Sequence, residues 1–348
     1  MKKIIAVLAA LMMLLAIFAG CGQTPEEQPS DTPAEQPAAE PSEQSEKELE
    51  DDSAKGYTIG VSVPSMEYTF FAHMETEINN VYPTDNVSVT VYDGENNQEK
   101  QNKDVEDMIT MGYDGIVLIP ITVEGAAPAI AYANEKEVPV ITVDREVTED
   151  AGVDVIGFVG ADHVPMGEAS AELLIAALEK MYPDEEVWNV IELQGTQGAS
   201  ATLLRYEGIH NVLEKDPRIN IVASLDANFS TTEALSIAED SLIANENLHG
   251  FICHNDDMAN GCYQALVNAN RVGEIAITGI DGTLAAVQNI VDGGIQGTVI
   301  QYPAMVLLGV ETLVKYLDGE EIEYYNYYPT EKITPEEAQS FIDAGKPF

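Results

Sequence analysis

The chain has 348 residues, of which 60 are acidic and 16 are Lys or Arg, so its formal net charge is −44. This length is sufficient for two domains of ordinary size. The acidic excess argues against nucleic-acid binding, which requires a basic surface, and it disfavours anionic ligands.

The first 21 residues have the pattern of an export signal. Two lysines precede an uncharged apolar run over 4–20, which is too short for a comfortable membrane span. The tetrapeptide FAGC that ends at Cys21 is similar to the bacterial lipoprotein box, in which that cysteine carries lipid. We therefore expect an extracytoplasmic protein whose membrane contact is a lipid on Cys21. An uncleaved anchor and an ordinary secretory leader are the alternatives.

Residues 22–55 have the composition of a disordered linker. They consist mainly of Pro, Glu, Gln, Ser and Ala, and proline recurs at every fourth position from Pro25 to Pro41. Such a segment has too little apolar surface to form a core. We predict an acidic tether between the leader and the folded body.

From residue 56 onward, strand-like and helix-like segments alternate, which is typical of doubly wound parallel α/β sheets. The first series predicts strands at 57–63, 87–93, 115–120 and 139–145, with helices near 69–81, 98–111 and 123–135. The second predicts strands at 154–160, 187–195, 219–226 and 250–256, with helices near 165–180, 200–214 and 231–244. Strands at 275–282 and 297–303 follow, then a helix near 303–317 with Pro303 in its first turn. Two successive series predict two similar lobes.

Several predicted strands end at side chains that can make more than one hydrogen bond. These are Asp144-Arg145, Asn255-Asp256, Asp281 and Gln301. Ligands of open α/β sheets bind outside the carboxyl ends of the strands, so these residues indicate one site. Acceptors and forked donors suit a neutral ligand rich in hydroxyls. Asp256 is better interpreted as a cap for a helix from 257, and a turn role is the alternative for Asp281.

The cysteines and histidines of the body indicate no metal or cofactor. Cys253 and Cys262 are interpreted as buried free thiols, with a disulfide between them as the alternative. The five histidines are scattered and lack metal-ligand spacing.

Seven motifs in order carry a resemblance to a known family. They are TFF (69–71), VPVITVDR (138–145), VIELQG (190–195), RYEG (205–208), NDDMANG (255–261), GIDGT (279–283) and VIQYP (299–303). In these motifs the chain resembles the periplasmic sugar-binding proteins of ABC transporters, of the ribose-binding type, from about residue 57 to about residue 335. The fold expected from the resemblance has two doubly wound parallel-sheet lobes joined by a three-crossover hinge.

The resemblance implies which residues bind the ligand, a ribose-like pentose or a hexose. Phe70 and Phe71 would flank the sugar ring from the first lobe, and Phe229 would face it from the second. The hydroxyl-binding positions of the family correspond to Asp144, Arg145, Arg205, Asn255, Asp281 and Gln301. Tyr68 departs from the pattern, because the family has a hydroxyl-binding Asn there. The alternatives are core positions for the phenylalanines and a solvated surface charge for Arg205.

The resemblance also implies how the lobes are built and used. Crossings are expected near 160, 301 and 331, so that the N-terminal lobe is 57–160 plus 302–331 and the C-terminal lobe is 161–301 plus 332–348. The lobes would close over the sugar and present it to an ABC permease, and the protein would act as a monomer.

Other functions require features that the chain has only in part. A sensor that presents a sugar or a sugar-like signal to a chemoreceptor or a two-component kinase is the alternative function. A glycosidase would need Asp144 and Asp281 as its carboxylate pair, and no catalytic activity is expected. A DNA-binding repressor would need a basic helix-turn-helix before the body, where the leader and the acidic segment stand instead.

Overall fold

The computed structural model describes residues 56–348, so the expected leader, Cys21 and the tether lie outside the described residues. Within 56–348 the strands are β1 (Tyr57–Val63), β2 (Val87–Asp93), β3 (Gly115–Leu118), β4 (Val140–Val143), β5 (Phe158–Ala161), β6 (Trp188–Gln194), β7 (Ile219–Asp226), β8 (Gly250–Cys253), β9 (Ala276–Asp281), β10 (Gly297–Ile300), β11 (Tyr325–Tyr328) and β12 (Lys332–Ile333).

Helices separate nearly all of these strands. They are α1 (Thr69–Val81), α2 (Gln98–Met111), α3 (Ala127–Glu135), α4 (His163–Met181), α5 (Ser200–Leu213), α6 (Thr231–Ala244), α7 (Asp256–Ala269), α8 (Leu284–Val291), α9 (Met305–Leu317) and α10 (Ala338–Asp343). None of the helices between residues 56 and 348 combines the length and the apolar character that crossing a membrane requires.

The strands form two six-stranded sheets with the same order. The first sheet runs β2-β1-β3-β4-β5-β11 and the second runs β7-β6-β8-β9-β10-β12. Neighbouring strands are parallel except β10 and β12, which are antiparallel. We call each sheet with its covering helices the first lobe and the second lobe. The predicted fold class, two similar lobes with parallel sheets, is confirmed.

The chain passes between the two sheets three times. It leaves the first sheet after β5 and enters the second through α4 and β6. After β10 it returns as α9, which packs on β3, β4 and β5, and continues into β11. It then crosses a third time, because β12 pairs with β10.

Burial explains why the strands form where they do. The central strands GIVL, VITV and GFIC are buried at every position, as expected for parallel strands covered by helices on both faces. The edge strands β2 and β7 alternate between partly buried and exposed residues over most of their length. The position of each lobe's core therefore follows from the periodicity of the sequence.

The strands predicted at 115–120, 139–145, 250–256 and 297–303 end two or three residues earlier than expected, and three predicted elements begin later than expected. The strand expected at 154–160 begins only at Phe158, because the backbone of Asp154 is bonded to the Asn134 side chain at 2.9 and 2.8 Å. The helix expected from Pro303 begins at Met305, after a tight turn in which the Met305 N–H donates to the Tyr302 carbonyl. The helix expected from 123 begins at Ala127.

Candidate functional site

The carboxyl ends of strands from both sheets meet in one place. Asp144 and Arg145 directly follow β4 of the first sheet. In the second sheet, Asn255 lies two residues after β8, Asp281 is the last residue of β9, and Gln301 directly follows β10. This arrangement is the one expected for a ligand site in open parallel sheets.

A single cavity brings all ten predicted site residues together. The cavity has a volume of about 20 Å³, room for about one water molecule, so the side chains that line it stand close together. Its lining comprises Tyr68, Phe70, Phe71, Asp144, Arg145, Ala201, Arg205, Phe229, Asn255, Asp281 and Gln301. Ala201, near the start of α5, was not predicted, because an alanine in a helix carries no signal for a binding site.

Aromatic rings from the two lobes border the cavity. Phe70 and Phe71 lie in the first turn of α1, with their ring centroids 5.5 Å apart, and Tyr68 precedes them with its ring 6.2 Å from that of Phe71. Phe229 comes from the second lobe, in the turn between β7 and α6. All four side chains are buried, so the rings also belong to the core.

A chain of hydrogen bonds links the lobes across the cavity. Arg205 donates to the Gln301 side-chain oxygen and, at 2.5 Å, to the His254 carbonyl. The Gln301 amide in turn donates to the Asp144 carboxylate. Arg205 is 3% exposed, which excludes the alternative of a solvated surface charge. The nearest oxygen of Asp281 is 3.9 Å from an Arg205 nitrogen, too far for a hydrogen bond.

Arg145 lies between two aromatic rings. Its guanidinium carbon is 5.3 Å from the Phe71 ring centre and 5.2 Å from the Phe229 ring centre, within cation–π range. One terminal nitrogen donates to the carbonyls of Pro120 and Ile121, at 3.3 and 3.2 Å. Within residues 56–348, the buried Nε atoms of Arg145 and Arg205 have no hydrogen-bond partner.

The charges of the cavity balance. Burial raises the pKa of Asp144 and of Asp281, and the facing arginines partly oppose that shift. Burial likewise lowers the pKa of Arg145 and Arg205, which the carboxylates oppose. Two carboxylates face two guanidinium groups, so the lining has little net charge to attract an ionic ligand.

Three of the lining residues have strained backbone. The φ angles of Asp144, Phe229 and Asp281 are +62°, +59° and +141°. Residues other than glycine rarely adopt such φ angles, and the conformational strain persists only where the surrounding structure enforces it. At Asp144 one restraint is His163, whose Nε2 donates to the Asp144 carbonyl at 2.7 Å. Strain of this kind concentrates at functional sites.

The prediction that Asp256 caps a helix is wrong. Asn255 is the cap of α7, since its side-chain oxygen accepts the Met258 N–H at 3.0 Å. The Asp256 carboxylate instead accepts the N–H groups of Gly282 and Thr283, both at 2.8 Å, and the Thr298 hydroxyl at 2.6 Å. Burial raises the pKa of Asp256 to about 6 against the effect of these hydrogen bonds. Asp256 thus fixes the turn after Asp281 instead of lining the cavity.

A buried carboxylate supports His254, the residue that directly follows β8. The Glu192 carboxylate accepts hydrogen bonds from His254 Nε2 at 3.0 Å and from His210 Nε2 at 3.2 Å. Burial opposes ionisation of Glu192, but its hydrogen bonds with the two histidines outweigh burial, and its pKa is lowered. The hydrogen bond with Glu192 raises the pKa of His210. Because the His254 carbonyl accepts from Arg205, this cluster positions a cavity residue.

The remaining sequence candidates do not form a metal or redox centre in the part that is described. Cys253 and Cys262 are free and buried, with their sulfur atoms 3.7 Å apart. Among residues 56–348, no group of three or more His, Cys, Asp or Glu side chains is placed to hold a metal ion.

Comparison with known proteins identifies the family. Residues 59–321 match the family model described as "periplasmic binding protein domain". The ribose import binding protein RbsB of Bacillus subtilis (strain 168) is 31% identical over 270 residues, which cover 77% of this chain and 84% of the relative. A solved galactofuranose-binding protein is 26% identical with a TM-score of 0.76, covering 83% of this chain and 98% of its own. A solute-binding protein of Actinobacillus succinogenes 130z with bound D-allose is 27% identical with a TM-score of 0.74, covering 82% and 99%. The chain belongs to the periplasmic binding protein family, with the type I two-lobed fold.

Proposed function

We propose that this protein binds one neutral monosaccharide, a ribose-like pentose or a hexose, between its lobes and delivers it to an ABC permease. The observation that carries the proposal is the composition of the cavity, where four aromatic rings accompany six side chains with forked or multiple hydrogen-bonding groups. The named relatives that bind ribose, galactofuranose and D-allose support this class of ligand.

The rings and the polar groups suit different parts of a sugar. A sugar ring has apolar C–H faces, which pack on flat aromatic surfaces such as Phe71 and Phe229. Its rim of hydroxyls requires groups that both donate and accept, as Asn255 and Gln301 do, and charged partners strengthen such bonds. We propose that hydroxyl oxygens of the sugar accept from the Nε atoms of Arg145 and Arg205, which have no partner within the described residues. A buried donor without a partner is costly, so this contact would contribute to affinity.

The balance of charge supports a neutral ligand. An anionic sugar would need an excess of guanidinium groups, and a cationic one would need an excess of carboxylates, whereas the cavity has two of each. The family is one of transport proteins without catalytic activity, in agreement with the expectation that the chain is not an enzyme. Asp144 and Asp281 are accordingly assigned to hydroxyl binding and not to glycoside cleavage.

Closure of the lobes would bury the sugar and form the surface that the permease recognises. We propose that the lobes are 57–160 plus 302–331 and 161–301 plus 332–348, and that they move about crossings near 160, 301 and 331. The support is that strands on either side of each crossing belong to different sheets. Gln301 would then lie at a crossing and also contact the ligand.

We also propose that a lipid on Cys21 anchors the protein to the membrane and that the protein is a monomer. The family is extracytoplasmic, and a tethered body would remain close to its permease. Metabolic labelling with a fatty acid should modify the wild-type protein and not the Cys21→Ala variant. Light scattering after size exclusion should give the mass of one chain, and a dimer mass would refute the monomer.

A thermal-stability screen of the folded body tests the function. The panel contains D-ribose, D-xylose, D-glucose, D-galactose, L-rhamnose and D-allose. A sugar at 100 times its dissociation constant should add about 2.7 kcal/mol of stability, which corresponds to a melting shift of about 5 °C. Sugar recovered unchanged after long incubation supports binding without turnover. If no sugar of the panel shifts the melting temperature and calorimetric titration detects no heat of binding, monosaccharide binding is refuted.

A further inference from the structure

Asp257 joins the two lobes without lining the cavity. It lies in the first turn of α7 in the second lobe, and Thr69 is the first residue of α1 in the first lobe. One carboxylate oxygen of Asp257 accepts the Thr69 backbone N–H at 3.0 Å, and the other accepts the Thr69 hydroxyl at 2.7 Å. Asp257 is 8% exposed and Thr69 is half-buried, so both bonds are partly shielded from water.

Helix α1 has no cap of its own. Its N-cap residue is Tyr68, which makes no side-chain capping bond, and its first turn contains no acidic residue. The first N–H groups of a helix need acceptors, and a carboxylate there also interacts favourably with the helix dipole. Asp257 therefore caps α1 from the opposite lobe.

The second lobe does not need Asp257 for its own helix. Asn255 caps α7, and the neighbouring Asp256 bonds Gly282, Thr283 and Thr298 within the second lobe. Within residues 56–348, hydrogen bonds from the Val123 N–H to the Gly198 carbonyl and from the Glu146 N–H to the Ser200 hydroxyl also join the lobes outside the cavity lining. Neither of these employs a charged side chain, in contrast to the bond from Asp257.

We propose that Asp257 is a latch that sets sugar affinity without touching the sugar. This inference rests on the proposed function, in which the lobes separate when the sugar leaves. Separation breaks both bonds to Thr69 and removes the cap from the helix whose next residues, Phe70 and Phe71, line the cavity. The closed state alone gains these bonds, so they slow dissociation of the sugar and hold the two rings in place.

The test compares D-ribose binding by wild type, Asp257→Ala, Thr69→Val and the double variant, using calorimetry and stopped-flow kinetics. Asp257→Ala should raise Kd about tenfold, equivalent to about 1.4 kcal/mol, through faster dissociation with the association rate nearly unchanged. Thr69→Val retains the backbone donor and should have a smaller effect. The double variant should be no weaker than Asp257→Ala, since both changes disrupt one contact.

Two controls separate a latch from general stabilisation. Asp240→Ala removes one exposed acidic charge from α6, and its Kd should stay within twofold of wild type. Thr69→Ser keeps both donors and should behave like Asp240→Ala. The ligand-free melting temperature of Asp257→Ala should match that of wild type, because the bond to Thr69 is absent when the lobes are apart.

The outcomes are distinguishable. If wild type binds D-ribose and Asp257→Ala binds it with a Kd within twofold, the latch is refuted and the proposed function stands. If Asp257→Ala loses as much ligand-free stability as it loses affinity, the residue is structural and the latch is refuted. If wild type neither binds any sugar of the panel nor becomes more compact with sugar in small-angle scattering, the proposed function itself fails.

Discussion

Replacement of Gly195 by alanine tests whether the Phe229 ring has to occupy its observed position. Gly195 follows β6 and faces this ring: a Cβ on Gly195 would lie 2.0 Å from its Cζ and 2.3 Å from both of its Cε atoms. Carbon atoms in contact prefer separations of about 3.5–4.0 Å, so the ring would have to move by about 1.5–2 Å. Phe229 is 3% exposed and packs against Arg145 and Arg205, which leaves it little room to do so.

The expected cost of this substitution follows from the overlap. Inserting a methyl group into a filled core costs about 1–3 kcal/mol. If the substitution destabilises the sugar-bound protein by this amount and leaves the ligand-free protein unchanged, Kd should rise about 5- to 150-fold, since about 1.4 kcal/mol corresponds to a factor of ten. Calorimetric titration with the sugar selected by the screen measures this change, and urea unfolding measures how much of the cost falls on the ligand-free protein.

A matched glycine and a compensating variant complete the experiment. A Cβ on Gly56 would have its nearest neighbour, the Asn86 carbonyl oxygen, at 3.7 Å, so Gly56→Ala should leave binding and stability unchanged. Gly195→Ala combined with Phe229→Leu should regain stability but not affinity, because the flat ring is lost. If Gly195→Ala binds the sugar with wild-type affinity, binding does not require the Phe229 ring in its observed position, and the argument is refuted.

Three further predictions concern buried charge. Arg205→Met leaves Asp281 without its cation and should lower the free energy of unfolding by about 3–5 kcal/mol in urea; unchanged stability would contradict the pairing. The pKa of Asp256 is about 6 in the folded protein and 3.8 in the unfolded chain. Its contribution to the free energy of unfolding, about 3 kcal/mol, is therefore present below pH 3.8 and is lost as the pH rises to about 6. In Asp256→Asn, the free energy of unfolding in urea should not fall in this way between pH 3.8 and pH 6. The same pH dependence in wild type and Asp256→Asn would contradict the assignment to Asp256. The raised pKa of His210 makes its pairing with Glu192 stabilising below pH 6.5, and that stability is lost as pH rises through the folded pKa. In Glu192→Gln an NMR titration should return His210 toward 6.5, and an unshifted titration would show that Glu192 is not the cause.

The strands and their polar ends could be predicted because both are local properties of the sequence. Runs such as VITV and GFIC are buried at every position, and Asp144 and Asn255, which follow them, line the cavity because parallel strands share one carboxyl edge. The aromatic residues are different, since Phe70, Phe71 and Phe229 could equally have been core. Only the resemblance to a family assigned them to a site.

The contacts that could not be predicted connect distant parts of the chain. Asp257 and Thr69 are 188 positions apart, and no periodicity relates them. The role of Asp256 was mistaken because a residue at a helix start can turn its carboxylate toward another loop, here 282–283. The late start of the last long helix, at Met305, reflects a turn geometry that Pro303 permits but does not determine.

The equal number of guanidinium and carboxylate groups in the cavity has a consequence for where this protein can work. Its exterior is strongly acidic, so encounters with ions vary with the salt content of the surroundings. A solute without charge does not respond to that field, and the paired charges around it are buried beyond the reach of mobile ions. Capture should therefore be equally efficient in dilute and in saline habitats.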